Sequence, residues 1–271
     1  MSTRRNAVAA GAALLAGLSW GFEAQAVGAQ ECTALASAQH FPEPTTAITT
    51  TFFAAGAVTA NGVPLPAHCR VQGTAQARTG LAGDLPAVPY GIKFEVRLPA
   101  DWNGRFMFQG AGGTQGGLSN ATGSAGTASP TLAKGFAVAS ENGGHDNSTL
   151  SKQVVTLPDG TPYTIISGNT FYTDRQAIVD WAYNSADVTT RTAKYLIQEF
   201  YKQPPAYSYF VGCSTSGRQG MAMSQMFPRH YDGIVAGDPF FVPPHISMSE
   251  TWAVQQVASV SPRDAAGNPI Y

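Results

Sequence analysis

The chain has 271 residues, of which 44% are hydrophobic, and a formal net charge of -1 at pH 7. This composition is typical of a globular protein with a sizeable core. Charged residues make up only 12% of the chain and no basic cluster follows Arg5. This excludes a basic surface that binds nucleic acid and favours small neutral partners.

The first residues have the pattern of an export signal. An arginine pair precedes an apolar run over 7–20, and a small-x-small site follows at 24–26. The apolar run is shorter than the about 20 residues that a membrane-spanning helix needs. We therefore predict a cleaved signal peptide over 1–26 rather than a membrane anchor, and a secreted or periplasmic protein.

Export would place the chain where disulfides persist, and the chain has three cysteines. Cys32 and Cys69 can form a disulfide, which leaves Cys213 over. An odd cysteine in an exported protein is a free thiol, an intermolecular link or the sign of an absent partner. The residues alone leave these three alternatives open.

The segment after the signal predicts an antiparallel, β-rich part. Residues 32–107 alternate short runs of β-branched and aromatic residues with turn residues. In GIKFEVRLP (91–99), apolar and charged residues alternate as in a strand. Short buried strands are expected at 105–108 and 135–140, each followed by a loop. A hairpin is expected around Pro158-Asp159-Gly160.

Helical periodicity replaces this alternation after Thr173. Apolar residues recur every three or four positions, Asp174 can cap the helix, and Pro204 must end it. A strand, a short helix and another strand are expected next, at 207–211, 218–226 and 233–236. This order predicts parallel β/α units over 130–245.

The stretch YSYFVGCSTSGRQG (207–220) carries the strongest chemical signal. A strand that runs straight into a helix lifts a serine hydroxyl clear of the backbone, and the tight turn demands small residues two before and two after that serine. Gly212 and Ser216 hold these positions around Ser214, so the G-x-S-x-G pattern fails by one residue. Ser214 is therefore a candidate nucleophile, and the alternative is a helix-capping serine.

A serine nucleophile of this kind also needs amides that hold an oxyanion. Thr215 follows the serine directly, and the loop FQGAGGTQGG (108–117) offers Gly112 or Gly113 as the second donor. The alternatives for this loop are a flexible connection and a phosphate-binding loop. The residues after it do not begin a convincing helix, which counts against a dinucleotide-binding fingerprint.

The general base is harder to assign. The chain order in α/β hydrolases is serine, acid, histidine, and only His230 and His245 follow Ser214. His230 is expected at the wrong end of the sheet. His245 is expected at the correct end, but only one further strand lies between it and Ser214, so no later strand that could carry the acid intervenes. The earlier histidines are His40, His68 and His145. We expect them to be structural, although His145 lies on a glycine-rich loop that could approach the site, and no ligand spacing predicts a zinc site.

At these residues the sequence resembles the tannase and feruloyl esterase family. The segment FYKQPPAYSYFVGCSTSGRQGMAMSQMFPRHYDGIVAGDP is similar to that family's elbow segment, WNGRFMFQGAGG to its oxyanion-loop segment, and ENGGHDN to its G-H loop. AHCRVQG also fits, so the likeness runs from about Cys32 to Pro244. Ser216 and Ala111 stand where the family usually has Gly and Asn.

The resemblance implies an α/β-hydrolase fold, with an antiparallel β-rich N-terminal part, parallel β/α units around the elbow, and a lid. It implies Ser214 as the nucleophile of a Ser-Asp-His triad, with Thr215 and the glycine loop as the oxyanion hole. It also implies that Cys213 forms a disulfide with a cysteine beside the catalytic histidine.

Members of that family continue through the lid with its calcium site, the acid and the Cys-His pair. We therefore expect this chain to be an N-terminal fragment without the lid, the rest of the core, the acid and the base. The expected domains are a signal peptide over 1–26, an incomplete catalytic domain over 32–245, and the start of a lid or connection over 246–271.

The expected function is hydrolysis of carboxylic esters of aromatic acids, such as feruloyl or galloyl esters, through an acyl-enzyme. The expected partner is a small aromatic ester, free or attached to polysaccharide or polyphenol, and neither nucleic acid nor a membrane. No cofactor or metal is expected within these residues. The alternative is a non-catalytic secreted binding protein that keeps a pocket but has no base.

Overall fold

A computed structural model of the protein describes residues 28–270 apart from 47, 84, 125–128, 151–152, 157–158, 166–168 and 242. Side chains are also not described at 85, 153–156, 163–165 and 243–247. The predicted signal peptide over 1–26 therefore lies outside the described residues.

One long mixed sheet organises the chain. In chain order the described strands are β1 (Thr49–Phe53), β2 (Thr59–Ala60), β3 (Val63–Pro64), β4 (His68–Ala82), β5 (Leu85–Pro99), β6 (Arg105–Gln109), β7 (Ala137–Glu141), β8 (Gln153–Thr156), β9 (Pro162–Ile165), β10 (Tyr207–Cys213) and β11 (Gly233–Gly237). Seven of them form the main sheet in the order β1-β4-β5-β7-β6-β10-β11, and β2-β3 and β8-β9 are separate pairs.

The helices flank this sheet. They are α1 (Ala29–Leu35), α2 (Asn147–Leu150), α3 (Arg175–Val179), α4 (Ser185–Tyr201), α5 (Thr215–Met226) and α6 (Pro243–Val260). A π turn at Asp180–Asn184 joins α3 to α4. In the described part of the chain, no helix combines the length and the apolar character needed to cross a bilayer. The domain boundary expected after residue 245 falls within α6.

The pairing of the strands confirms the predicted α/β class. The strands β1, β4, β5 and β7 pair antiparallel, whereas β7, β6, β10 and β11 pair parallel. The predicted hairpin is present as the antiparallel pair β8 and β9, although Pro158 in its turn lies outside the described residues. The sheet therefore changes from antiparallel to parallel at β7, ahead of the elbow.

The main core lies between β5 and α4. From Ile92 to Leu98 one face of β5 is fully buried, and α4 contributes a matching apolar face. From β5 these residues are Ile92, Phe94, Val96 and Leu98, and from α4 they include Val188, Leu196, Ile197 and Phe200. Burial of each such side chain stabilises the fold by roughly 1.5–3 kcal/mol. Asp174 caps α3 as predicted, because its side chain accepts a hydrogen bond from the Ala177 amide at 2.9 Å.

The opposite face of β5 carries a buried ion pair. Arg97 Nε donates to Glu95 Oε1 at 2.7 Å, and the side chains are only 4% and 2% exposed. The segment around Asn120 and Ala121 covers the pair: Arg97 donates to Asn120 Oδ1 at 3.2 Å, and the Ala121 amide donates to Glu95 Oε1 at 3.0 Å. The two charges can lie inside the protein because each is paired and hydrogen-bonded.

The predicted disulfide is present. Cys32 in α1 is bonded to Cys69 in β4, and both are buried. The bond fixes the N-terminal helix to the antiparallel half of the sheet, where Leu35 packs into the same core.

Candidate active site

The elbow consists of one residue between a strand and a helix. β10 ends at Cys213 and α5 begins at Thr215, so Ser214 alone makes the turn. Its backbone has φ 58° and ψ −118°, and its amide donates to Gly237 O at 3.0 Å. A side-chain-bearing residue in this region is strained, as a nucleophile elbow is. The half-buried Ser214 makes no side-chain capping bond to α5, so the capping alternative does not describe it.

Close packing explains which residues around Ser214 must be small. A Cβ added at Gly212 would lie 2.6 Å from the Cβ of Ser216, and one added at Gly110 would lie 2.3 Å from the same atom. A Cβ at Gly217 would lie 2.2 Å from Gly237 O. The serine at 216, where the G-x-S-x-G pattern has glycine, therefore fits because Gly110 and Gly212 have no side chain.

The glycine-rich loop lies directly against the elbow. The Gly110 amide donates to Val211 O at 2.8 Å, Thr215 Oγ1 donates to Gly113 O at 2.6 Å, and the Ser216 hydroxyl donates to Ala111 O. These contacts bring together the two parts of the predicted site, the elbow and the oxyanion loop.

The loop and the helix both present backbone N–H groups. The amides of Gly112 and Gly113 donate to no described protein acceptor, and a Cβ at either residue would meet nothing within 4 Å. Thr215 is the first residue of α5, where N–H groups have no partner within the helix and the helix dipole is positive. The geometry is that of a set of free amides beside a half-buried serine.

His145 is buried rather than directed at the elbow. It has no exposed surface, its ring stacks on Phe171 with centroids 4.0 Å apart, and its Nδ1 lies 3.2 Å from Gly143 O. Burial lowers its pKa to about 4, so the ring is neutral at pH 7. His145 is thus a structural residue, as expected, and its ring does not approach the elbow.

The other described histidine side chains also make no hydrogen bond to Ser214. His68 is buried, with Nδ1 2.8 Å from Pro66 O, and burial lowers its pKa. His40 is exposed. The backbone of His245 lies in α6, but its side chain is not described.

His230 pairs with an acid far from the elbow. Its Nε2 lies 2.6 Å from Asp187 Oδ1. Burial would raise the pKa of Asp187, but hydrogen bonds from His230 and Arg191 outweigh burial and lower it. The pair resembles an acid and base of a triad, yet His230 follows the C-terminal end of α5, a helix of 12 residues. At 1.5 Å per residue α5 is about 18 Å long, so His230 follows the end of α5 that lies opposite Ser214, the wrong end as predicted.

Cys213, beside the serine, is a free and exposed thiol. Its Sγ lies 4.0 Å from Asp238 Oδ2, at the end of the neighbouring strand β11. The disulfide that the resemblance implies for Cys213 stays a prediction.

Sequence reasoning missed the contact between the elbow helix and the π turn. Arg218 Nη1 and Nη2 donate to Ala182 O at 2.8 Å and to Trp181 O at 3.3 Å, and the guanidinium lies 4.2 Å from the Trp181 ring centroid. A π turn leaves carbonyl groups without a partner in the regular i to i+4 pattern. The apolar periodicity around Trp181 is compatible with an unbroken α-helix, so no sequence signal marked this turn.

A mixed sheet whose parallel half ends in a strained serine elbow beside free loop amides is the arrangement of the α/β-hydrolase fold. The family profile described as tannase and feruloyl esterase matches residues 69–269. The chain belongs to the tannase and feruloyl esterase family.

Individual relatives agree with this assignment. The chain is 42% identical over 219 residues to mono(2-hydroxyethyl) terephthalate hydrolase of Piscinibacter sakaiensis, covering 80% of this chain and 34% of the relative. It is 33% identical over 181 residues to a probable feruloyl esterase B-2 of Aspergillus fumigatus, covering 67% of this chain and 30% of the relative. The chain therefore spans about a third of the length of these curated relatives.

Solved structures show the same fold. Feruloyl esterase B from Aspergillus oryzae superposes with a TM-score of 0.60 at 25% identity, over 88% of this chain and 41% of that one. Tannin acyl hydrolase from Aspergillus niger superposes with a TM-score of 0.56 at 19% identity, over 86% and 41% of the two chains.

Proposed function

We propose that this protein is a serine-type carboxylic ester hydrolase that acts on esters of aromatic acids, with Ser214 as its nucleophile. The observation that carries the proposal is the backbone of Ser214, which is held at φ 58° between strand and helix with a side chain that caps nothing. Such strain persists at functional sites because the surrounding structure over-determines it.

The proposed reaction follows the two-step course of serine esterases. The Ser214 hydroxyl attacks the ester carbonyl carbon while a general base takes its proton, and the resulting oxyanion is held by the amides of Thr215 and of Gly112 or Gly113. The base returns the proton to the leaving alcohol as the acyl-enzyme forms. Water, activated by the same base, then releases the acid and restores the serine.

We place the base and its acid partner outside the side chains that the structure describes. Within that part of the chain no histidine is hydrogen-bonded to Ser214, and the His230 pair lies at the opposite end of α5. Among the described side chains, no group of three or more His, Cys, Asp or Glu could hold a metal ion; the calcium ion that the resemblance implies belongs to the lid.

The substrate class rests on the relatives. One is named as a hydrolase of a terephthalate ester and others as feruloyl esterases, so an aromatic acyl group is the feature they share. Export is part of the proposal. It is supported by the signal pattern over 1–26 and by the Cys32–Cys69 bond, because such bonds persist in oxidising compartments.

The test is hydrolysis of p-nitrophenyl acetate and methyl ferulate by the 271-residue chain and by the product of the gene's whole reading frame. We expect Ser214-dependent turnover in a product that includes the base, with Ser214→Ala lowering kcat/KM by about 10⁶-fold. The 271-residue chain alone should show only residual activity. Ser224→Ala is the matched control, because Ser224 is exposed on the same helix and donates to Met221 O.

Full activity of Ser214→Ala would contradict the proposal. A robust Ser214-dependent rate in the 271-residue chain would place the base within it, and His245 would be the first residue to mutate. Tight binding of ferulate without turnover by the whole gene product would favour the alternative, a non-catalytic binding protein.

A further inference from the structure

A row of buried polar side chains lies beneath the elbow and takes no part in the proposed reaction. It runs from α5 through the glycine-rich loop to the end of β7. Its members are Ser216, Gln219, Gln115 and Glu141, and none is more than 8% exposed. Polar groups at such depth are costly to bury unless they are hydrogen-bonded.

Each member of this row contacts the next. The Ser216 hydroxyl lies 3.0 Å from Gln219 Oε1, Gln219 Nε2 lies 3.4 Å from Gln115 Oε1, and Gln115 Nε2 donates to Glu141 Oε1 at 2.9 Å. The ends are anchored on backbone groups: Gln219 Nε2 also donates to Trp181 O at 3.0 Å, and Glu141 accepts from the Gly143 amide. The row therefore joins three separate segments around the elbow.

Ser216 fixes one of the loop peptides. Its single hydroxyl proton is donated to Ala111 O, with Gln219 Oε1 as the alternative acceptor. In a trans peptide the C=O and the following N–H point in opposite directions. Holding Ala111 O against α5 therefore directs the Gly112 N–H away from the helix. A Cβ added at Gly112 would meet no atom within 4 Å, so the space beside this residue is open.

Gln115 fixes the next peptide. Its backbone amide donates to Gly112 O at 3.2 Å, which by the same reasoning sets the direction of the Gly113 N–H. Gln115 itself has φ 61°, which is unfavourable for a residue with a side chain. Its bonds to Gln219 and Glu141, together with a 2.8 Å bond from Asn147 Nδ2 to its carbonyl oxygen, hold it in that conformation.

From this geometry we infer that Ser216, Gln219, Gln115 and Glu141 are positioning residues, which hold the 111–115 loop so that the Gly112 and Gly113 amides face the reacting carbonyl. The inference rests on the proposed function, since it assigns those amides to the oxyanion. It also explains the serine at position 216, where the elbow motif has glycine. A glycine there could not donate to Ala111 O, whereas the Ser216 hydroxyl does.

The first test needs no turnover and uses the 271-residue chain. Amide hydrogen exchange of a peptide covering 109–117 is measured in the wild type, Ser216→Ala and Gln115→Ala. We expect both substitutions to accelerate exchange of the amides at positions 115 and 116 about tenfold, because the loop opens more often when a buried hydrogen bond is lost. Exchange in the core strand β5, over 92–98, should be unchanged.

Two further variants make this test decisive. Ser224→Ala removes an exposed hydroxyl from α5 and should leave loop exchange unchanged. Ser216→Gly restores the glycine pattern and should loosen the loop as Ser216→Ala does. Wild-type exchange in Ser216→Ala, Ser216→Gly and Gln115→Ala would overturn the inference, whatever the activity of the protein.

The second test uses a gene product with Ser214-dependent activity. Ser216→Ala should lower kcat by about ten- to a hundredfold and leave KM within about threefold, because misdirected amides weaken the transition state more than the bound ester. Faster exchange with an unchanged kcat would overturn the positioning role and leave a purely structural one. Since the exchange test does not require hydrolysis, a failure of the proposed function would be seen separately, as the absence of Ser214-dependent turnover.

Discussion

His145 shows what burial without a charge partner does to a single residue. The ring has no exposed surface and stacks on Phe171, and its Nε2 has no hydrogen-bond partner within the described part of the chain. Burial lowers its pKa from 6.5 to about 4, because the charged ring would lose its hydration. Protonation therefore favours the unfolded chain.

We predict that this residue makes the protein sensitive to acid. Between pH 6.5 and pH 4 the unfolded chain binds more protons at His145 than the folded protein does, so its contribution to stability is complete above pH 6.5 and falls as the pH falls. At pH 5 the loss is about 2 kcal/mol. His145→Phe keeps the stacking and should lose about 2 kcal/mol less than the wild type between pH 7.5 and pH 5, as measured by urea unfolding.

The comparison between variants isolates this effect. Burial raises the pKa of Glu141 to about 7, which gives a pH dependence of opposite sign, but that group is common to the wild type and the variant. A pH dependence in His145→Phe equal to that of the wild type would show that His145 does not titrate as described.

At this scale the sequence predicted the strand-to-helix turn at Ser214, because an elbow depends on residues adjacent in the chain. The role of Ser214 as the nucleophile stays a prediction. The place of Ser216 could not be predicted, since it fits only where Gly110, more than a hundred positions earlier, lacks a side chain. The burial of His145 depends in the same way on Phe171, which comes from a distant segment.

Among the elements, β5 is buried on both faces over residues 94–99. The alternation of apolar and charged residues in GIKFEVRLP predicted the strand. It did not predict that Glu95 and Arg97 would be covered, because the covering residues around Asn120 belong to the loop after β6. The strands around the elbow and the helices α4 and α5 were predictable from local patterns, whereas α1 and α6 were not predicted. The environment of each face is set by tertiary packing.

We predict that removing one charge of the β5 ion pair strongly lowers the free energy of unfolding, whereas replacing both charged residues by uncharged ones lowers it much less. Arg97→Met leaves the Glu95 carboxylate buried without its cation and should lower the free energy of unfolding by about 3–5 kcal/mol. The double variant Glu95→Gln/Arg97→Met removes both charges and should recover most of that loss. Chemical denaturation of the three proteins measures both values, and equal losses in the single and double variants would contradict the prediction.

For the molecule as a whole, the Cys32–Cys69 bond ties the N-terminal helix to the sheet across 37 positions of sequence. Closing a loop of that length removes entropy from the unfolded chain worth about 4 kcal/mol. The bond is therefore one of the larger single contributions to a stability that is typically about 5–15 kcal/mol for a folded domain.

We predict that Cys32→Ala/Cys69→Ala lowers the free energy of unfolding by about 3–4 kcal/mol, and that a reducing agent has a similar effect on the wild type. Denaturant unfolding with and without dithiothreitol gives both numbers. Cys213→Ala, which changes only the free thiol, should unfold as the wild type does. A wild-type protein unaffected by complete reduction would show that the rest of the fold holds α1 in place.

The π turn at Asp180–Asn184 sets the rotational phase between α3 and α4. Each residue added to or removed from a helix turns everything beyond it by about 100°. A change of length here would therefore point the apolar face of α4 away from β5, or take the Trp181 and Ala182 carbonyls away from Arg218. The number of residues in this segment is constrained as strictly as their identity, and insertions compatible with the fold belong in the connections outside it.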